Sequence, residues 1–142
     1  MQTIQANNYP IYFNEKGYEA LNLHLKENKY SNIFIIVDSS TNESCLPKFL
    51  PYLETELTIE IIEFEAGEAN KNIDTCVEIW KVLTELGGDR KSLVINLGGG
   101  VVTDLGGFVS STFKRGIDFI HIPTTLLSMV DASVGGKNGV DL

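Results

Sequence analysis

SLVINLGGGVVTDLGGFVSSTF, residues 92–113, is the stretch whose reading decides the fold. Residues 92–97 read as an apolar, β-branched strand that runs straight into Gly98-Gly99-Gly100, and residues 101–113 then read as a helix. A strand, a triglycine turn and a helix let backbone N–H groups at a helix N-terminus come close to a phosphate. Asp104 falls near the first turn of that helix. The spacing Gly98-x-Gly100-x-x-Thr103 nearly matches the dinucleotide fingerprint, but Thr103 replaces the third small residue. No acidic residue ends a strand ~20 positions later in register for a ribose. Taken alone, the turn fits nucleotide binding and a tight structural turn about equally.

Outward from this stretch, strand and helix signals alternate. Residues 32–37 (NIFIIV) form a short buried strand followed by a loop at Asp38-Ser39-Ser40. Before it, residues 17–27 suggest a helix, although leucines at 21, 23 and 25 give it poor periodicity. Residues 44–52 suit a short helix with Pro47 in its first turn and Pro51 ending it. Residues 58–64 (TIEIIEF) read as a strand, and Glu60 and Glu63 place it near a sheet edge. Ile73, Cys76, Val77, Trp80, Leu83 and Leu86 recur at spacings of three and four, an amphipathic helix stopped by Gly87-Gly88. Residues 119–122 form another strand, closed by Pro123. This alternation predicts an α/β fold, Rossmann-like, with a largely parallel sheet and helices on both faces.

Composition bounds the rest. The 142 residues are 43% hydrophobic and 21% charged, one domain's worth of chain and too apolar for disorder. No apolar run approaches the ~20 residues of a membrane span. The start, MQTIQANNYP, lacks the basic and apolar regions of a signal peptide. Cys45 and Cys76 offer neither CxxC nor a disulfide framework, so the expected setting is reduced and cytoplasmic. The net charge of −8 is concentrated in residues 1–75, which carry five Lys against twelve acidic side chains. That acidity argues against nucleic acid or anionic membrane as a partner. The glycine-rich last third is close to neutral and is where a small anionic ligand would be tolerated.

Several polar residues gather behind the turn. Thr124-Thr125 follow a strand end, where hydroxyls and amides can meet phosphate or ribose. Asp131 lies between apolar flanks that would partly desolvate its carboxylate, and Lys137 follows Gly135-Gly136. Each alone also reads as an N-cap, an exposed acid or a solvated lysine; together, at successive βα loops, they favour a site. Lys114-Arg115 suits phosphate recognition and ordinary helix-dipole compensation alike. Glu68 could accept from a ribose hydroxyl or simply decorate a helix N-terminus. His121, alternating with Ile120 and Ile122, reads as a hydrogen-bonded core group. Neither it nor His24 shows metal-ligand spacing.

At residues 97–141, LGGGVVTDLGGFVSSTFKRGIDFIHIPTTLLSMVDASVGGKNGVD, the chain resembles the 3-dehydroquinate synthase family of sugar-phosphate cyclases. The matching motifs are GGGVxxDLxGF, RGxxF and PTTLLxxVDxSVGGKxGV, with a fainter GExxK at residues 67–71 and Val37-Asp38 upstream. The resemblance implies an enzyme that uses NAD and a divalent metal, zinc or cobalt. Its reaction converts 3-deoxy-D-arabino-heptulosonate 7-phosphate to 3-dehydroquinate and phosphate in the shikimate pathway, a lyase reaction that recycles the cofactor. It implies that Asp38, Ser39, Ser40, Glu68 and Lys71 contact the adenosine part of NAD. Gly99, Gly100 and Val101 would hold the pyrophosphate, and Asp104, Thr124 and Thr125 would complete the cofactor site. Asp131 and Lys137 would contact substrate, and Arg115 would reach the substrate phosphate of the neighbouring subunit in a homodimer.

The chain departs from the family pattern at Ser40, Ala66, Thr103 and Asn138, where Asn, Asp, Gly and Thr are common. The family's metal ligands, a Glu and two His, belong to a C-terminal helical domain. Residues 1–142 therefore resemble the NAD-binding domain alone, with a metal and substrate domain expected after Leu142. Turnover by this piece in isolation is not expected. The alternatives left standing are another sugar-phosphate cyclase, a metal-dependent polyol dehydrogenase and a non-catalytic NAD-binding module.

Overall fold

Two apolar faces of one sheet organise the chain. The structure, a computed structural model, describes residues 3–6, 9–12 and 14–124. An antiparallel hairpin, β1 (Thr3–Ala6) and β2 (Tyr9–Tyr12), opens it, followed by α1 (Asn14–Glu27) and β3 (Ile33–Asp38). Two short helices, α2 (Ser39–Ser44) and α3 (Leu46–Phe49), lead to β4 (Ile59–Phe64) and then α4 (Ile73–Glu85). The described chain closes with β5 (Leu93–Leu97), α5 (Gly100–Thr112) and β6 (Asp118–Ile122).

The four later strands form a parallel sheet in the order β4-β3-β5-β6. Parallel strands covered on both faces must be apolar on both, and Ile33, Phe34, Ile35, Ile36 and Val37 are all fully buried. Phe34, Ile36, Ile62, Phe64 and Val94 pack under α4 and α5, against Cys76, Ile79, Leu83, Val102, Leu105 and Val109. Ile33, Ile35, Val37, Leu93, Ile95 and Leu97 face the other way, onto Leu21 and Leu25 of α1 and Leu46 and Phe49 of α3. The period of two in the strands thus supplies two cores. The α/β class, the parallel sheet and helices on both faces stand as expected, with β4 an outer strand among the described residues.

One expectation needs correction, and two features exceed what the sequence signals. The N-terminal hairpin carries no signal in the sequence beyond the polar start of the chain. In α1 the spacing of four decides: Leu21 and Leu25 are buried, while Leu23 between them is exposed, which is why the segment looked poorly periodic. The loop expected at Asp38-Ser39-Ser40 is instead a helix start. Asp38 Oδ1 accepts from the Thr41 amide at 2.8 Å and Thr41 Oγ1 accepts from the Asp38 amide at 3.0 Å, a reciprocal capping box. The box has Thr where Glu or Gln is usual, so the sequence pattern does not announce it.

One contact between the sheet and α5 is tight enough to test. Asn96 of β5 is fully buried, and a Cβ added at Gly106 of α5 would overlap its side-chain amide. Gly106→Ala is expected to lower stability by ~1–3 kcal/mol through overpacking, beyond the ~1 kcal/mol that alanine returns in a helix. Asn96→Ala in the same chain vacates the overlap. Chemical denaturation should therefore find the double variant more stable than Gly106→Ala alone, and strict additivity of the two changes would overturn this packing argument.

Candidate functional site

Ligands of open parallel sheets sit beyond the strand C-termini, where the connections diverge. Here that point lies between β3, whose chain leaves toward β4, and β5, whose chain leaves toward β6. The loops flanking it are those after β3, with Asp38, Ser39 and Ser40, and after β5, with Gly98, Gly99 and Gly100.

The three glycines do different things. Gly98 is buried, and a Cβ there would meet Val102 Cγ2 at 2.8 Å and Thr41 Cγ2 at 3.2 Å, so its lack of a side chain lets the β3 and β5 loops pack together. Gly99 caps α5 and Gly100 begins it, both exposed, and a Cβ on either would meet nothing within 4 Å. Nothing in the described structure requires glycine at these two positions. They leave a bare helix N-terminus with free amides and no side-chain cap, a shape and dipole suited to a phosphate group.

Around this floor the structure brings several expected residues together. Lys71 Nζ lies 3.1 Å from Asp104 Oδ2 and 3.2 Å from Glu68 Oε1, joining the β4–α4 loop to α5. The hydrogen bond to Asp104, then that to Glu68, raises the Lys71 ammonium above its ordinary value. All three side chains are solvent-accessible, so this chain of charges is a positioning device more than a source of stability. Ser39 Oγ accepts from the Ala66 amide at 3.0 Å, tying the start of α2 to the same loop. Ser40 is exposed, and its carbonyl accepts from Ser44 Oγ at 2.8 Å. Val101 packs against the core beneath α5, leaving its backbone at the helix mouth. Thr124 follows Pro123 just past β6 and is half-buried. Thr125, Asp131 and Lys137 lie outside the described residues.

Arg115 is set apart from this cluster, beyond the C-terminus of α5. Lys114 and Arg115 both adopt left-handed backbone, with φ of 48° and 72°, and Gly116 follows at 108°. The Lys114 ammonium sits 5.5 Å above the Phe113 ring, and Arg115 makes no ion pair among the described residues. A bulky residue held at positive φ without a local partner suggests a role for the exposed side chain.

One polar residue escaped the sequence reading and another was assigned the wrong surroundings. Asn96 was hidden by an otherwise apolar strand, although an amide among Leu, Val and Ile next to a glycine turn is itself a signal. His121 is not a core group: it is exposed at the end of β6, because α5 presents Gly107 to it and covers little of the ring. It is hydrogen-bonded as expected, with Asn96 Nδ2 3.2 Å from its Nδ1. Burial of that side of the ring lowers its proton affinity, outweighing the pull of Asp104. Since the unfolded chain takes up that proton first, this group's contribution to stability is complete above about pH 6.5 and shrinks as pH falls below it. Thermal melts of the chain and of His121→Gln should diverge below that pH, and parallel curves would refute the assignment.

Among the described residues, no group of three or more His, Cys, Asp or Glu side chains is placed to hold a metal ion, and no helix is long and apolar enough to cross a membrane.

A parallel sheet with a glycine-floored helix N-terminus at its diverging loops defines a Rossmann-like α/β domain. Residues 61–142 match the family described as 3-dehydroquinate synthase N-terminal, and the chain belongs to that family within the sugar-phosphate cyclases. It is 46% identical over 113 residues to the 3-dehydroquinate synthase of Parabacteroides distasonis, a match covering 80% of this chain and 32% of that protein. The corresponding enzyme of Alkaliphilus oremlandii is 39% identical over 135 residues, covering 94% and 37%. The chain thus spans about a third of the length of these curated relatives. Among solved structures, a 2-deoxy-scyllo-inosose synthase complexed with carbaglucose-6-phosphate, NAD+ and Co2+ aligns with a TM-score of 0.74 at 23% identity, over 87% of this chain and 35% of the other. The 2-epi-5-epi-valiolone synthase of Streptomyces hygroscopicus, with NAD+ and Zn2+ bound, aligns at 0.66 and 24%, over 100% and 39%. At those identities the likeness is one of fold.

Proposed function

We propose that this chain is the NAD-binding part of a 3-dehydroquinate synthase, which converts 3-deoxy-D-arabino-heptulosonate 7-phosphate to 3-dehydroquinate and phosphate with no net change in the cofactor. The observation that carries the reading is the pair of exposed glycines at the α5 N-terminus in a chain 46% identical to a protein of that name. An open floor with unfilled amides fits a dinucleotide pyrophosphate.

In this reading Gly99, Gly100 and Val101 bind the pyrophosphate through backbone N–H groups. Asp38, Ser39, Ser40, Glu68 and Lys71 line the adenosine side, on the β3 and β4 half of the sheet. Asp104, Thr124 and Thr125 complete the cofactor site, with the Lys71 ion pair holding the Asp104 carboxylate in place. Asp131 and Lys137 contact substrate, and Arg115 anchors the substrate phosphate across a homodimer. When bound, NAD supplies a reversible hydride acceptor. A zinc or cobalt ion belongs to a second domain following residues 1–142, and the protein works in the cytoplasm.

The test has two arms. Isothermal calorimetry on the chain should show NAD binding without turnover. A protein carrying this chain at the length of its relatives should release phosphate from the heptulosonate phosphate, with catalytic NAD and no accumulating NADH, and should stop on chelation. Phosphate release from a different sugar phosphate would point to another cyclase, and net NADH to a polyol dehydrogenase. Binding alone would leave a non-catalytic module.

A further inference from the structure

Beneath the mouth of the crevice, β5 and β6 carry a polar pair that the cofactor site does not yet use. Asn96 and His121 are register partners, on the sheet face covered by α5. The Asn96 amide nitrogen can only donate, so at 3.2 Å the His121 Nδ1 accepts and the ring proton resides on Nε2. The far end of the amide shows why it is turned this way. Asn96 Oδ1 is buried, without a hydrogen-bond partner, against Gly106. Turning the amide over would press its two N–H groups against the Gly106 methylene, which offers no acceptor, whereas a carbonyl oxygen there still meets weakly polar C–H groups.

One edge of the ring lies alongside α5. A Cβ at Gly107 would lie 3.4 Å from His121 Cε1 and 3.6 Å from Nε2, ordinary contact distances, which puts this edge three residues along the helix from Asp104. Phe119 flanks the ring with centroids 5.3 Å apart. Among the described residues, Asp104 of α5 is the charged group whose field reaches the imidazole; β5 and β6 contribute only Asn96 and Phe119. In the strand order, β6 lies on the opposite side of β5 from β3 and β4. A dinucleotide whose adenosine lies over β3 and β4 therefore extends its nicotinamide half toward His121.

We propose that His121 contacts the nicotinamide half of the dinucleotide as an uncharged Nε2–H donor, and that Asn96 is a positioning residue that fixes the ring's tautomer and keeps it neutral. The inference rests on the crevice being the NAD site. Neutrality matters because oxidised nicotinamide is itself cationic. An imidazolium in this place would repel it and would compete with Lys71 for Asp104.

The test exploits the presence of only two histidines in the chain. In nitrogen NMR of the histidine-labelled chain, with His24→Gln to assign the signals, His121 should show an unprotonated Nδ1 and titrate below its ordinary range. Asn96→Ala should mix the tautomers and raise the midpoint; the Asn96→Ala/Gly106→Ala double variant, which refills the space, should do the same if the single variant does not fold. Calorimetry between about pH 5 and 8 then reads the function. The Asn96 variants should lose NAD+ affinity as His121 protonates, by about 10-fold more than they lose NADH affinity. His121→Gln, which keeps an N–H donor and cannot charge, should bind without that pH dependence, and His121→Phe should bind about 10-fold more weakly at every pH. Normal NAD+ binding by His121→Phe, or an unchanged His121 titration in both Asn96 variants, overturns the inference while leaving the NAD site intact. No NAD+ binding by the parent chain removes both.

Discussion

Gly100→Ala is expected to weaken NAD binding by at least ~10-fold while thermal unfolding stays where it was or rises slightly. The separation follows from the surroundings of the glycine. A methyl at Gly100 touches nothing among the described residues, and alanine is the better helix former. The same methyl would project over the amides that a pyrophosphate needs to approach. Gly99→Ser carries the contrast further, because serine at an N-cap stabilises a helix by filling the very amides the ligand would use. Gly98→Ala is the control in the opposite sense. Its Cβ would press on Val102 at 2.8 Å, so it should cost ~1–3 kcal/mol of stability whether or not a ligand is present. Calorimetry beside denaturant melts on the three variants decides the matter. Undiminished NAD affinity in both Gly100→Ala and Gly99→Ser would sink the pyrophosphate cradle.

Arg115→Gly should abolish most turnover in the full-length enzyme, by about 100-fold or more in kcat/KM, without destabilising the fold. Left-handed backbone costs an ordinary residue about 1–2 kcal/mol, and glycine's freedom in the unfolded chain costs about 0.5–1 kcal/mol. At a φ of 72° the exchange is therefore neutral or favourable. Arg115→Lys keeps charge and strain but loses the two-pronged geometry that suits phosphate, and should fall between. A melt showing marked destabilisation of Arg115→Gly would mean that the side chain holds the fold together. Full activity would mean that it anchors no phosphate.

Much of this architecture is legible in the sequence because the physics that sets it is local. Residues 33–37 are apolar on both faces, and so are 93–97 but for Asn96, a pattern that suits a covered parallel strand, and Gly98-Gly99-Gly100 between strand and helix places the crevice. What the sequence hides depends on distant partners. Nothing local separates Gly98, which Thr41 and Val102 require, from Gly99 and Gly100, which nothing among the described residues requires. Asp38 reads as a loop acid until its cap with Thr41 is seen, and Lys71 reads as a surface lysine until Asp104, 33 residues away, comes to it. His121 was misplaced because strand alternation gives a side chain's face but not what covers that face.

The central strand also has a history during synthesis. Ile33 of β3 pairs on one edge with Ile59 of β4 and on the other with Leu93 of β5. The second partner lies about 60 residues further on, roughly 3–12 s later at usual rates of translation. For that interval an edge of Ile33–Val37 without a single charged side chain stands unpaired, with Asp38 the one charge of β3, at its C-terminal end. Such an edge pairs readily with a second nascent copy of itself. Crowded or slowed expression should therefore lower the yield of folded protein without altering the stability of the molecules that do fold.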